Sequence, residues 1–281
     1  MNPFILRVER FTGRLLFWLV MLFFLAFTLI PVIWGGLGSA KVGDEMFASP
    51  FTILPHNVTF QNYLTILTDK EFIESILNTI IVAGIVTGLA LVFGGAGAYA
   101  LGRFDFRGRN LLRYLILMMN VFPAVAILPA LAALVRDLGL NGSLWSLVIV
   151  YPLTILPIMI WSTIAFFRAL PPDIEEAAAM DGATVWQLFF RIIIPLSAPV
   201  LLTNGLLVFV TMWSEYLLAL TFTSVDPTAR TLTVAIKYLK DRYTPGQMMA
   251  AAIVASIPLV LLIFFLQRNF IRNTTEGGVK G

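Results

Sequence analysis

The sequence contains no cysteine, which excludes disulfides, thiolate metal sites and thiol catalysis. It contains one histidine, His56, in a Pro- and Asn-containing stretch that reads as surface loop. Without cysteine, and with one loop histidine, the chain is a poor candidate for an intramembrane enzyme. Charge is scarce as well, at 12% of residues against ~25% in an ordinary soluble domain. The lysines fall at 41, 70, 237, 240 and 280, and none is followed by Ser or Thr. A Walker A phosphate loop requires that pair, so any ATP used must be bound by another chain.

Apolar residues are what the chain has in abundance. They make up 59% of it, and the mean hydropathy is +0.89, so lipid rather than water is the main solvent. A helical span needs ~20 mostly apolar residues. Six runs qualify: 15–37, 78–101, 114–135, 144–167, 198–220 and 248–266. The first is too long for a signal-peptide core and has no small-residue cleavage site after it, so it reads as retained. Continuous runs, rather than ten-residue alternation, select helices over a barrel. The expectation is an all-α integral membrane protein of six transmembrane helices, forming a single domain over 1–281.

An even number of spans puts both termini on one side. Lys and Arg total twelve on that side and seven on the other, which favours cytoplasmic termini. Arg103, Arg107, Arg109 and Arg113 weigh most; the 221–247 loop weighs against. Prolines 123, 129, 152, 157 and 258 lie within spans, where each removes a helix hydrogen bond and can kink the rod. Gly84 and Gly88, then Gly94, Ala98 and Gly102, form rows of small residues suited to close helix packing.

Residues 168–197 are the long loop on the terminus side. They read RALPPDIEEAAAMDGATVWQLFFRIIIPLS and predict two short helices. Asp173 and Glu176 match a capping box, and Ile174, Ala177 and Ala178 share a face. Gly182 ends the first helix in the left-handed conformation. Thr184 and Gln187 repeat the capping pattern, Val185, Leu188, Phe189 and Ile192 form an apolar stripe, and Pro195 closes the second helix. The product is a stiff hairpin, either a knob for a partner's groove or a self-contained connector.

These residues resemble the EAA signature of bacterial ABC importer permeases: Glu176-Ala177-Ala178, Gly182 after three residues, then Ile192 and Ile194-Pro195, with Ile194 where Leu is usual. Asn62-Tyr63, Asn78-Thr79, GAYALGRFDFRGR at 97–109, TMWSEYLLAL at 211–220 and the terminal GGVKG extend the resemblance to the maltose-type (MalG-like) carbohydrate permease family. Gly102 and Ser214 depart from that family's usual Ala and Asn. The resemblance implies a type I ABC importer permease fold in a bacterial cytoplasmic (inner) membrane. It implies a second permease subunit, two ATPase subunits holding ATP and Mg, and an extracytoplasmic solute-binding protein. Nucleic acid has no part. It makes 168–197 a cytoplasmic coupling-helix loop in which Glu176, Ala177, Ala178, Met180, Asp181 and Gly182 meet the ATPase. Val279, Lys280 and Gly281 add contacts there, and the outer 221–247 segment offers a docking surface to the binding protein.

Polar residues within or beside spans are candidates for a translocation path: Asn120, Tyr151, Asn204, Thr211, Glu215 and Tyr216. Each has an ordinary alternative as a helix–helix hydrogen bond. For Glu215 the alternatives are a polar group on the outer side of the path and a structural bond to a loop. The competing function is a self-sufficient carrier driven by an ion gradient, which would usually place ionisable groups at the membrane centre.

Overall fold

The computed structural model describes residues 3–47 and 52–277, and among these the regular structure is all helical. The positions of Val279, Lys280 and Gly281 lie outside the described residues. Contacts divide the chain into two units, Met1–Asp69 with Lys240–Ile257, and Lys70–Leu239 with Pro258–Gly281.

The first unit contains α1 (Pro3–Ser39), α2 (Gln61–Thr68) and the start of the last helix. α1 supplies the apolar span Gly13–Ser39, whose side chains from 13 to 34 are all exposed. Its C-terminal end is tied down by Asn62. The Asn62 amide nitrogen donates to the Ser39 and Lys41 carbonyls, both at 2.9 Å, and the Ser39 and Tyr63 hydroxyls lie 2.6 Å apart. A side chain at Gly246 would come within 2.8 Å of that amide, so the close approach needs glycine.

The second unit is built on three long rods. The first comprises α3 (Lys70–Leu89), a π-helical turn at Ala90–Gly94 and α4 (Gly95–Arg103). A sharply bent pair follows, α5 (Arg109–Val121) and α6 (Ala124–Asp137). The second rod is α7 (Leu144–Ala169). After α8 (Asp173–Met180), the third runs through α9 (Val185–Leu188), a π-helical turn at Phe189–Ile193 and α10 (Ile194–Ser214). α11 (Leu217–Thr223) and α12 (Leu232–Leu239) complete it before α13 (Pro245–Gly277). Val82, Val86, Val150, Tyr151, Met159, Leu201 and Val208 form the shared core of the rods.

Among the described residues, five helices are long and apolar enough to cross a membrane, and a sixth crossing is formed if the bent pair counts as one span. That pair turns by 100° within the expected 114–135 span, at one of the two prolines that can kink it. The cause is local: Phe122 precedes a proline and is pushed to extended backbone (ψ 126°), and Pro123 then starts a new helix. Pro129, Pro152, Pro157 and Pro258 lie inside helices that continue through them.

The small-residue rows divide in a way the sequence does not reveal. Gly84 and Gly88 have nothing within 4 Å of where a side chain would start. Gly94 and Gly102 are where the first rod and α7 close up, since a Cβ there would lie 2.6 Å from Met159 Cγ and 3.0 Å from Phe167 Cβ. At the end of α3 away from the 168–197 loop, Asn78 and Thr79 hold the segment before α12. The Asn78 amide donates to the Thr228 and Arg230 carbonyls at 2.8 and 3.0 Å, and the Leu232 N–H donates to the Thr79 hydroxyl at 2.8 Å. Arg230 pairs with Glu71 at 2.8 Å and lies over the Tyr238 ring. Arg230 thus points into the fold, which removes it from the charges that the 221–247 loop offers outward.

Candidate functional site

α7 ends in an extended residue, Leu170, and Pro171-Pro172 redirects the chain. Pro172 already has helical dihedrals (φ −57°, ψ −31°), so Asp173 is the first residue of α8 and not its cap. The expected capping box of Asp173 and Glu176 therefore does not form. Asp173, Glu175 and Glu176 instead place negative charge in the first turn, where the helix dipole favours it.

The far end of α8 follows the sequence reading. Gly182 is left-handed at φ +76°. Its N–H donates to the Ala179 carbonyl and the Ala183 N–H to the Ala178 carbonyl, both at 3.0 Å, the paired bonds of a Schellman cap. Two residues on, the Gln187 N–H donates to the Thr184 hydroxyl at 3.3 Å, and the Thr184 N–H to the Gln187 side chain at 2.8 Å, a complete capping box. Two caps with only Ala183 between Gly182 and Thr184 make the turn stiff. Pro195 does not close the second helix, which runs on as helix from Val185 to Ser214. The wide π turn just ahead of Pro195 makes room for a ring that would clash with the i−4 carbonyl of a regular helix.

One face of α8 is bound to the rods and the other is open. Glu175 accepts from Arg103 Nε at 2.8 Å and from the Tyr99 hydroxyl at 3.2 Å. The side chains of the Arg103–Glu175 pair are 11% and 25% exposed. Arg103 also donates to the Leu170 carbonyl at 3.0 Å, so one guanidinium fixes both the end of α7 and the start of α8. Tyr99 is packed edge-on against Phe167 and tilted against Phe189. Ala178 is buried one turn beyond Glu175, on the same face. The open face holds Glu176, Ala177, Met180, Asp181 and Gly182, all exposed, with Met180 at 88%. The expected single Ala face is thus split, with Ala178 turned inward and Ala177 outward. Val185, Trp186 and Phe190 are exposed beside them, whereas Leu188, Phe189, Ile192 and Ile193 are turned away from solvent. Sequence reasoning missed Glu175. Its signal was the arginine-rich end of the first rod, which needs a carboxylate from somewhere.

The path candidates fall into separate places. Glu215 interrupts the helix between α10 and α11 with extended backbone (ψ 133°). Its carboxylate accepts from the Leu218 and Ala219 N–H groups at 2.9 and 3.0 Å and from the Tyr151 hydroxyl at 2.7 Å. Glu215 and Tyr151 are therefore bonded to each other, and the carboxylate caps α11. Asn204 donates to the Thr163 hydroxyl at 2.8 Å and shares with Thr211 a groove of about 260 Å³ between α7 and α10. Asn120 donates to the Ile116 carbonyl of its own helix, at 2.9 Å, and is exposed, as is Tyr216.

A Glu215→Ala variant is expected to lose a helix cap and leave the buried Tyr151 hydroxyl unpaired. Together these cost about 2–3 kcal/mol. Unfolding of the detergent-solubilised protein should come on the order of 5 °C lower, with Tyr151→Phe showing a smaller drop. A loss of solute uptake at full thermal stability would instead mark Glu215 as a path residue.

Residues 94–276 match the family model for the inner membrane component of binding-protein-dependent transport systems. The chain is 34% identical over 273 residues to the sulfoquinovosyl glycerol transport system permease protein SmoH of Agrobacterium fabrum, covering 96% of this chain and 95% of that protein. It is 35% identical over 259 residues to the trehalose transport system permease protein SugB of Mycobacterium tuberculosis, covering 91% and 93%. A crystal structure of a bacterial ABC transporter involved in import of the acidic polysaccharide alginate superposes with a TM-score of 0.80 at 26% identity, over 93% of this chain and 97% of that one. The chain belongs to the binding-protein-dependent transport system inner membrane component family.

Proposed function

We propose that this chain forms one half of the pathway of an ABC importer for a sugar or sugar-like solute. It is a non-catalytic subunit: ATP is hydrolysed, with Mg bound beside it, in two separate ATPase subunits. The observation that carries this reading is the 173–195 hairpin, doubly capped, clamped to the rods through Glu175, and open through Glu176, Ala177, Met180, Asp181 and Gly182. In this reading that open face enters a cleft of an ATPase subunit, where Glu176 meets a basic residue. Val279, Lys280 and Gly281 add contacts to the same partner. The rods then move with the hairpin, because Arg103 links it to the first rod and to α7 at once.

A second permease subunit completes the pathway, and a solute-binding protein delivers the solute from outside. The excess of Lys and Arg on the terminus side supports cytoplasmic termini. Support for a sugar comes from the relatives, whose names specify trehalose and sulfoquinovosyl glycerol. Asn204 and Thr211 in the α7–α10 groove are this chain's candidates for solute contact. A self-sufficient ion-coupled carrier gains no support from Glu215, whose carboxylate is occupied as a cap. Reconstitution separates the two readings. The chain alone should show no uptake under a proton or sodium gradient, and uptake should appear only with the second permease, the ATPase subunits and ATP. Uptake by the chain alone under a gradient would overturn the proposal.

A further inference from the structure

Six arginines, at 103, 107, 109, 113, 168 and 191, fall in the segments at the hairpin end of the rods, and among the described residues Arg103 and Arg109 have carboxylate partners. Arg103 pairs with Glu175, and Arg109 lies 3.6 Å from Asp105. Arg113 and Arg168 have no ion pair among the described residues, and both line one cavity of about 420 Å³ between α5 and α7. Among the described residues no carboxylate lines it. Arg113 is held in place from two sides. One Nη donates to the Leu101 carbonyl and the other to the Asn110 side chain at 3.3 Å, while its Nε is buried with no partner among the described residues. Arg168 is exposed, at the last turn of α7.

The rest of the cavity wall has the character of a membrane boundary. Tyr114 and Trp161 line it and are exposed, the ring types that settle where lipid headgroups lie. α5 has no buried side chain and exposes Leu111, Leu115 and Met118, an apolar surface suited to acyl chains. The volume falls in the range of small-ligand sites. We infer that this cavity binds the phosphodiester headgroup of an anionic phospholipid, held between the Arg113 and Arg168 guanidiniums. The exposed guanidinium of Arg168 and the remaining Nη hydrogens of Arg113 suit phosphate oxygens, and a lipid bridging them would tie α5 to α7 beside the hairpin. This inference does not depend on what the hairpin docks into.

The test is lipid retention by the purified full-length chain, with whatever subunits co-purify, read by native mass spectrometry. Phosphatidylglycerol should be retained over phosphatidylcholine. Arg168→Gln should weaken retention about fivefold, the equivalent of ~1 kcal/mol per arginine at a charged surface. Arg107→Gln, which alters an arginine outside the cavity, should leave it unchanged. Arg113→Gln should weaken retention as well, but Arg113 also supports the Leu101 carbonyl, so Arg168→Gln is the deciding variant. Millimolar inorganic phosphate should fail to displace the lipid. Equal retention of the two lipids, or unchanged retention in Arg168→Gln, would overturn the inference. Displacement by inorganic phosphate would overturn it too, as the mark of a site for free phosphate.

Discussion

Replacing Gly182 by proline should abolish solute uptake while leaving the chain inserted in the membrane at normal levels. Gly182 holds φ at +76°, and proline is fixed near −65°. Proline also lacks the N–H that Gly182 donates to Ala179. The conflict costs at least ~3 kcal/mol, equivalent to a loss of on the order of a hundredfold in the population of the native turn. Insertion should be spared because residue 182 lies outside every span. Gly182→Ala makes the argument quantitative. A Cβ there meets nothing within 4 Å, so its only penalty is conformational, about 1–2 kcal/mol. Its uptake should therefore fall between wild type and Gly182→Pro. Uptake assays on membrane vesicles, with immunodetection of the inserted chain, check both variants. Full uptake by Gly182→Pro would remove the stiff turn from the mechanism.

The second large effect belongs to the clamp. Arg103→Ala should uncouple the transporter, with ATP hydrolysis continuing and uptake lost, because the hairpin then moves without pulling the rods. Removing one partner of a buried ion pair costs 3–5 kcal/mol, and the residual exposure of this one lowers that to about 2–3 kcal/mol. Glu175→Ala should behave alike, and the double variant should be little worse than either single one. That non-additivity is the signature of a direct pair, read from a double-mutant cycle on the ratio of uptake to ATP hydrolysed. Additive losses would mean that Arg103 and Glu175 act separately. The exposed Glu176 gives a contrast, since no side-chain partner holds it among the described residues and its removal should weaken ATPase binding.

Much of this was legible in the sequence, for a physical reason. Spans follow from apolar run length, and Gly182 and the Thr184–Gln187 box follow from backbone chemistry confined to a few residues. What was not legible depends on distant partners. Glu175 and Glu176 are adjacent in sequence but about 100° apart around a helix. Only the position of Arg103, 72 residues earlier, decides which one turns inward. The same dependence hid the burial of Ala178 and the pairing of Glu215 with Tyr151. Proline was legible as a disruptor but not in degree. Pro123 breaks its span because the residue ahead of it goes extended, whereas Pro195 is absorbed by the π turn before it. Gly84 and Gly88 carry the most conspicuous packing motif, yet the contacts inside the chain form at Gly94 and Gly102.

The absence of cysteine offers a clean background for the decisive measurement, single-cysteine cross-linking between the hairpin and the ATPase in the active transporter. Met180→Cys and Glu176→Cys, on the open face, should each cross-link to the ATPase chain with a yield that changes when nucleotide binds. Ala178→Cys, on the buried face, should not. If neither open-face cysteine reaches an ATPase subunit while uptake is intact, the hairpin is not the link between ATP hydrolysis and these helices.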